Sequence, residues 1–215
     1  MRDLTFAVEG AQVVPFAAVP TLAFHLHVKS AASSAPIESI ALRCQIQIEA
    51  QRRHYEPLEK QALRDLFGEP ERWSQTLRPF LWTHANVTVP QFSGSILVDL
   101  PVACSFDFNV AATKYFHALE AEEVPLLLQF SGTVFFAGPD NAMQVAQIGW
   151  DKESRFRLPA KVWREMMDSY YPNSAWLRLR RDVFDRLQEY KRSKGLATWE
   201  QAIDELLPAA RKAVS

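Results

Sequence analysis

The sequence VPLLLQFSGTVFF, residues 124–136, contains thirteen residues, none of them charged. Branched and aromatic side chains dominate it, which is typical of β-strands. A strand without regularly alternating polar positions is stable only when both of its faces are covered, so we predict the central strand of the largest sheet here. A turn at residues 138–141 follows, and residues 144–150 are predicted to return as its hairpin partner.

The composition excludes several classes of protein. The chain of 215 residues is 48% hydrophobic and 23% charged, which is ordinary for a globular protein. No apolar run approaches the roughly 18 residues of a membrane span, and the N-terminal residues alternate like a strand rather than a signal peptide. The two cysteines predict neither a disulfide framework nor a zinc ribbon. We therefore expect a reduced, cytoplasmic protein without a membrane segment or a cofactor.

The net charge of −1 conceals an asymmetry between the two parts of the chain. Residues 152–215 carry 14 Lys and Arg against 9 Asp and Glu, whereas residues 1–151 carry 10 against 16. Complementary charges attract, so a mildly basic tail packed on a mildly acidic body explains the difference. A nucleic-acid surface would be more densely basic, and we expect no nucleic-acid binding.

Strands are predicted through most of residues 1–151. Apolar and polar side chains alternate there, as in strands with one buried and one solvated face. The segments with this pattern are residues 4–9, 21–29, 40–51, 77–90, 96–100 and 103–110. We expect the first three to form one antiparallel sheet, and the last to continue as a strand to about Tyr115.

Helical patterns interrupt and then follow the strands. Residues 57–67 are predicted as an inserted helix that begins at Pro57 and ends before Gly68. After Trp150 the period becomes 3.6, and the predicted helices are residues 158–170, 176–194 and 198–207. Asn173 or Ser174 is expected to cap the second of these, and a capping box at residues 198–201 to begin the third.

This order of elements predicts an α+β fold. We expect an antiparallel β-sandwich-like body, residues 1–151, with an inserted helix near residues 57–67. A C-terminal helical subdomain, residues 152–215, is expected to pack on that body.

His25 and His27 have the spacing of a metal chelate. On a strand, positions i and i+2 share a face with roughly 7 Å between their Cα atoms, and imidazole pairs at this spacing can bind zinc or nickel. The sequence places no third ligand beside them, and Lys29 continues the same face. The solvated side of a strand is the simpler interpretation. We therefore expect no metal site, and His25 and His27 are the candidates if one exists.

The candidate nucleophiles are better explained as structural residues. Cys44 and Cys104 lie on the apolar phase of predicted strands, where free cysteines pack as small, inert hydrophobes. The segment QFSG occurs twice and contains Ser93 and Ser131, but neither serine has the flanking glycines of a nucleophile elbow. Each glycine of these segments is expected to allow a bulge or a close backbone approach at equivalent places in the sheet. We predict no catalytic residue.

Aromatic and arginine side chains meet where two C-terminal helices join. They are Tyr170, Tyr171, Trp176, Arg178 and Arg181. Tyr, Trp and Arg dominate the hot spots of protein interfaces, so we predict a partner-binding surface here. Acidic residues interrupt the basic side of the long helix, which also fits a solvated surface with ion pairs. An acidic protein is the partner that this surface favours.

Three stretches of the chain resemble a known family. They are AATKYFHALEAEEVPLLLQFSGTVF at residues 111–135, IGWDKE at 148–153 and YPNSAWLRLRRDVFDRL at 171–187. The chain resembles a bacterial family of about this length whose domain has no known function. Genes of that family often lie beside those of uptake nickel–iron hydrogenases, which implies an accessory protein for such an enzyme.

The leading hypothesis is a non-enzymatic, protein-binding accessory or assembly factor, and the resemblance implies a redox metalloenzyme such as a hydrogenase as its partner. Two alternatives stay open. One is a holdase-like chaperone that binds immature chains on its apolar surfaces. The other is a metal-dependent enzyme that uses His25 and His27.

Overall fold

The computed structural model describes residues 3–30, 36–105, 110–119, 123–138, 140–174, 177 and 179–213. The strands are β1 (Leu4–Val13), β2 (Thr21–Ser30), β3 (Ile37–Ile48), β4 (Phe80–Val89), β5 (Ser95–Ala103), β6 (Glu123–Ala137), β7 (Met143–Gln147) and β8 (Glu153–Pro159). The helices are α1 (Pro57–Ala62), α2 (Arg64–Phe67), α3 (Trp73–Thr76), α4 (Val110–Ala118), α5 (Ala160–Tyr170), α6 (Arg181–Ser193) and α7 (Trp199–Ala213). Two 3-10 turns, Ala50–Arg52 and Pro70–Arg72, flank α1 and α2.

The strands form two antiparallel sheets. The smaller sheet has the order β1-β2-β5, and the larger has the order β4-β3-β6-β7, with β8 also paired to β6. β1 lies beside β8, where the Val8 N–H donates to Ser154 Oγ at 3.3 Å, and β4 lies beside β5. Phe6 of the smaller sheet stacks on Phe130 of the larger, with ring centroids 4.5 Å apart. The predicted α+β fold with a sandwich-like body is confirmed.

β6 is the centre of the larger sheet, as its sequence predicts. β3 pairs with one edge, while β7 and β8 share the other. The inward side chains are buried, namely Leu126, Leu128, Phe130 and Val134. The expectation that both faces are covered is wrong in part, because Ser131 is exposed and Gln129 partly exposed. Gln129 faces outward, where its Oε1 accepts hydrogen bonds from Gln45 and Gln47.

The first three strands do not form one sheet. β1 and β2 pair as predicted, but β3 lies in the larger sheet between β4 and β6, and β5 pairs with β2. An alternating pattern specifies which side chains face the core but does not select a neighbouring strand, which explains the error. The assignment of faces is confirmed on β3, where the inner residues Ile40, Leu42, Cys44, Ile46 and Ile48 are all buried.

A helix replaces the strand that was predicted to extend to Tyr115. β5 ends at Ala103, and residues 106–109 of the expected strand lie outside the described part of the chain. Ala112, Tyr115 and Phe116 of α4 are buried, and their spacing of three and four residues is helical. The Phe116 ring stacks on Trp163 of α5 with centroids 5.0 Å apart, so tertiary packing selects the helix.

The helix predictions hold, with shifted boundaries. The inserted helix begins at Pro57 as predicted and divides into α1 and α2. α5 begins at Ala160, whereas α6 begins only at Arg181, and the residue before it, Arg180, is its N-cap. Neither Asn173 nor Ser174 caps it, because α6 begins several residues further on. The capping box of α7 is confirmed, since Thr198 and Gln201 exchange two hydrogen bonds of 3.2 Å.

β8 is a strand that sequence analysis missed. Its inward residues, Ser154, Phe156 and Leu158, alternate with charged residues that face outward. The alternation was visible in the sequence, but it lies directly before a helical pattern and spans only seven residues. Pairing with the first half of β6 provides the backbone partners that make this short segment a strand.

The chain divides into two compact units, Met1–Ser174 and Ala175–Ser215. The first contains both sheets and α1 to α5, and the second contains α6 and α7. β8 and α5, although they follow Asp151, belong to the first unit, where Leu158, Trp163 and Met166 are buried in its core. That residues 152–215 form one subdomain packed on residues 1–151 stays a prediction.

Gly132 allows a close approach of strands at the centre of the larger sheet. Its φ is +142°, and a Cβ there would lie 2.1 Å from the carbonyl oxygen of Ala41. Gly94, in the other QFSG segment, has φ +73° before β5, and a Cβ there would meet nothing within 4 Å. The two glycines therefore do not occupy equivalent places, contrary to the prediction. The first QFSG segment lies in the turn before β5, whereas the second lies within β6, where it is paired with β3.

We expect Gly132→Ala to destabilise the protein by at least about 2 kcal/mol, because the added methyl group forces β3 and β6 apart. Gly94→Ala is the matched control. It pays only the left-handed backbone cost of about 1 kcal/mol. Chemical denaturation of both variants measures the difference, and equal destabilisation would contradict the close approach.

We expect a fragment of residues 1–174 to unfold cooperatively on heating and a fragment of residues 1–151 not to fold. The shorter fragment lacks β8 and α5, so one edge of β6 loses its partner along its first half and the core loses Trp163 and Met166. Circular dichroism melts compare the two fragments. A cooperative transition in the shorter one would show that residues 152–174 are dispensable for the core.

Candidate functional site

The outer face of the smaller sheet carries two histidines, each beside a carboxylate. His25 and His27 lie on β2, with side chains 30% and 23% exposed. His25 Nδ1 is 2.8 Å from Asp99 Oδ1 on β5, and His27 Nδ1 is 2.6 Å from Glu9 Oε1 on β1. We refer to these four residues as the histidine face. Each imidazole is therefore held by a different neighbouring strand.

Strand register and a bulge bring the carboxylates to the imidazoles. Asp99 is directly opposite His25 in the pairing of β2 with β5. The register of β1 against β2 shifts between Val8 and Gly10, and Glu9 is the extra residue of this bulge. Gly10 is opposite His25, and a Cβ there would lie 3.2 Å from the imidazole. Sequence reasoning missed both carboxylates, because strand register and bulges are not visible in one sequence.

The carboxylates determine which ring nitrogen can act as a base or a ligand. An ionised carboxylate only accepts hydrogen bonds. The Nδ1 atoms of His25 and His27 therefore carry the ring hydrogen and donate a hydrogen bond to the carboxylate. In the neutral ring, Nε2 then has the free lone pair. Within the described residues, no group of three or more His, Cys, Asp and Glu could hold a metal ion. The histidine face therefore offers a cation two imidazole nitrogens, those of His25 and His27.

The outer face of the larger sheet carries an open groove of about 580 Å³. It is lined by Ala41, Leu42, Arg43, His84, Asn86, Val87 and Thr88. His84 Nε2 is 3.3 Å from Gln45 Oε1, and Gln45 in turn donates to Gln129 Oε1 at 3.2 Å. These contacts form a row of side-chain hydrogen bonds across three strands. The row is suited to binding polar groups and stabilising the sheet rather than to acid–base chemistry.

A buried polar cluster joins the inserted helices to the body. Arg53 donates to Glu59 Oε1 at 2.7 Å, and both side chains are buried. The Tyr55 hydroxyl donates to the Ala50 carbonyl oxygen at 2.8 Å and lies 2.7 Å from the Tyr115 hydroxyl. Burial raises the pKa of both tyrosines, so they stay neutral. Because these groups are enclosed and bonded to one another, the cluster has a structural role.

Two of the residues predicted to bind a partner belong to the first unit. Tyr170 and Tyr171 are partly buried beside its core. The Tyr170 hydroxyl lies 3.1 Å and 3.0 Å from the main-chain oxygens of Val14 and Ala17, so it can donate to either. Tyr170 therefore anchors the connection between β1 and β2, a contact that sequence spacing does not reveal. Its role in docking stays a prediction.

The other predicted docking residues belong to the second unit. Arg181 begins α6, and its side chain is 93% exposed and lies 4.0 Å from Asp185. Trp176 and Arg178 lie outside the described residues. The clustering of the five predicted residues therefore stays a prediction, and Arg181 is the member whose exposure suits an interface.

The second unit exposes apolar side chains that sequence reasoning did not select. We refer to α6 and α7 together as the helical hairpin. Phe184 of α6 is 40% exposed, while Leu206 and Leu207 of α7 are 39% and 58% exposed. The Phe184 ring contacts Trp199 of α7 with centroids 5.3 Å apart. The helical periodicity of these positions was visible in the sequence, but their exposure depends on what packs against them.

Both cysteines pack in the core, as predicted. Cys44 lies on the inner face of β3, and Cys104 follows β5, and both are buried. Burial raises the pKa of each thiol to about 12. Because the thiolate is the reactive form, neither residue is suited to nucleophilic or redox chemistry in the folded protein.

The strands and helices described above define an α+β protein built on two packed sheets. The chain belongs to the family of unknown function DUF6084, whose model matches residues 1–215. This membership confirms the resemblance to a family of unknown function, and the hydrogenase association stays a prediction. A search of curated proteins finds no match.

Among solved structures, the chain is similar to β-glucosidase 3B from Thermotoga neapolitana in complex with α-D-glucose. The identity is 10% and the TM-score 0.24, over 73% of this chain and 17% of that chain. This chain thus spans less than a fifth of the glucosidase, and a score this low carries no argument about fold or function. No helix in the described part of the chain has the length and apolar character needed to cross a membrane.

We expect Cys44 and Cys104 not to react with Ellman's reagent in the native protein at mildly alkaline pH. Both pKa values lie well above that pH, and the core excludes the reagent. Both thiols should react completely in denaturant, which provides the internal control. Rapid reaction of either thiol in the native protein would contradict its burial.

Proposed function

We propose that the protein is a non-enzymatic accessory or assembly factor that docks another protein through the helical hairpin. The observation that carries this proposal is the exposure of Phe184, Leu206 and Leu207 on a unit of only two helices. Contiguous exposed apolar patches mark interaction sites, and we expect these three side chains to belong to one such patch.

The size of the hairpin explains why it would need a partner. Two helices can bury only the side chains between them. Ala202 of α7 is buried, while α6 contains no buried residue. Each further Å² of apolar surface covered by a partner contributes about 25 cal/mol. Docking therefore supplies the second layer that an amphipathic helical pair requires.

The charged residues of α6 would orient the partner rather than supply most of the affinity. Arg180 pairs with Asp182 at 2.9 Å, and Arg192 pairs with Glu189. Exposed pairs of this kind contribute at most about 1 kcal/mol each, so they can exchange for contacts with a partner. Arg181, long and almost fully exposed, suits an acidic partner surface. Within this proposal, the family resemblance supplies the partner class, a redox metalloenzyme such as a hydrogenase.

We expect Phe184→Ser combined with Leu207→Ser to abolish partner binding by the full-length chain. Truncation of an interface anchor typically costs about 2 kcal/mol or more, which is about thirtyfold in affinity. The melting temperature should stay close to that of the wild type, because both side chains are exposed. Affinity capture from the source organism, quantified by mass spectrometry, identifies the proteins that the wild type retains and the variant loses.

The matched control is Leu97→Ser combined with Val145→Ser, which changes similarly exposed apolar side chains on the two sheets. It should retain the partner. If the control variant loses the same protein and the hairpin variant retains it, the docking surface lies on the sheets and not on the helical hairpin. Suppression of aggregation of unrelated unfolded proteins, undiminished in the hairpin variant, would instead favour a holdase.

A further inference from the structure

We propose that the histidine face binds a divalent transition-metal ion through the Nε2 atoms of His25 and His27. This inference is independent of the docking proposal, because it concerns a different unit of the chain. It rests on the contacts that the two imidazoles make, which go beyond the spacing visible in the sequence. The ligand class is a borderline or soft cation such as Zn²⁺.

The two imidazoles are presented side by side on a rigid support. β2 is the central strand of the smaller sheet and pairs with β1 and β5 along nearly its whole length. Positions i and i+2 of such a strand place the two rings on one face with roughly 7 Å between their Cα atoms. Both rings are partly exposed, so an ion from solvent can reach them.

The carboxylates give each histidine the contact that metal-ligating histidines have. Such residues almost always donate their other ring N–H to a carboxylate, carbonyl oxygen or water, which fixes the tautomer and raises the basicity of the ligand nitrogen. Asp99 accepts this hydrogen bond from His25, and Glu9 accepts it from His27. One such pair on a sheet surface is an ordinary ion pair. His25 and His27 are two residues apart on one strand, and a carboxylate from each neighbouring strand holds one of the two rings through Nδ1.

The surrounding charges and the ligand type select the cation. Neutral imidazole suits Zn²⁺, Cu²⁺ and Ni²⁺, whereas Mg²⁺ and Ca²⁺ prefer oxygen ligands. The carboxylates of Glu9 and Asp99 favour a cation by their charge, and Lys29, further along the same face, opposes it. Two protein ligands leave the remaining positions of a four-coordinate ion to water or to a donor from another molecule. The site is thus open and exchangeable rather than a closed structural site.

The test is a calorimetric titration of the full-length chain, without an affinity tag, with Zn²⁺. We expect saturable binding of one equivalent by the wild type, and its loss in His25→Ala and in His27→Ala. His84→Ala, which removes an exposed histidine from the other sheet, is the matched control and should bind as the wild type does. Melting curves without metal check that each variant is folded.

Two further variants test the carboxylates as positioning residues. Asp99→Asn and Glu9→Gln keep both imidazoles but weaken the contacts to Nδ1, and we expect each to lower the Zn²⁺ affinity by about 10–100-fold. These variants also keep the proposal testable if a histidine variant does not fold. The proposal would be overturned if the wild-type chain showed no saturable Zn²⁺ binding. It would also be overturned if the His25→Ala/His27→Ala variant bound Zn²⁺ as tightly as the wild type. Equally tight binding of Mg²⁺ would overturn it too, since it would assign the site to the carboxylates.

Discussion

The pairing of β6 with β3 is the constraint on which the rest of the structure depends. Leu42 is opposite Gly132 in that pairing, and the Ala41 carbonyl oxygen occupies the space that any other residue at Gly132 would fill. A shift of one residue would turn the inner side chains of β6 to solvent and separate Phe130 from Phe6 of the opposite sheet. The register is therefore held both by the core and by the backbone itself. β7 and β8 then complete the other edge of β6, and α4 and α5 pack over the assembled body.

The inner faces of both sheets form the core, so in the described part of the chain the outer faces and the helices are the regular elements that can meet a ligand. The smaller sheet has the more specific outer face. Its order, β1-β2-β5, places β2 between two strands that each contribute one carboxylate. Had β3 paired with β2, Asp99 would not lie beside His25. The strand order that sequence reasoning missed is thus the feature that creates the histidine face.

The helical hairpin and the histidine face represent two different kinds of recognition. Burial of Phe184 and Leu207 by a partner would be a non-directional interaction that scales with the apolar area covered. It therefore suits a protein surface of complementary shape. Imidazole ligation is directional and depends on the tautomer, so it suits a single ion. The two lie in different units of the chain, and each can therefore be tested without disturbing the other.

The sequence by itself determined the class of the fold, the central place of β6, the faces of the strands and the burial of both cysteines. It also determined the capping box of α7. These features follow from local periodicity and local hydrogen bonding, which a single sequence displays. Only the tertiary structure decided that β3 pairs with β4 and β6 rather than with β2, that β8 is a strand and that α4 is a helix. It also decided that Glu9 and Asp99 contact the histidines. The physical reason is that strand neighbours, register and bulges are selected by backbone hydrogen bonds between distant segments, and every residue except proline offers the same backbone groups.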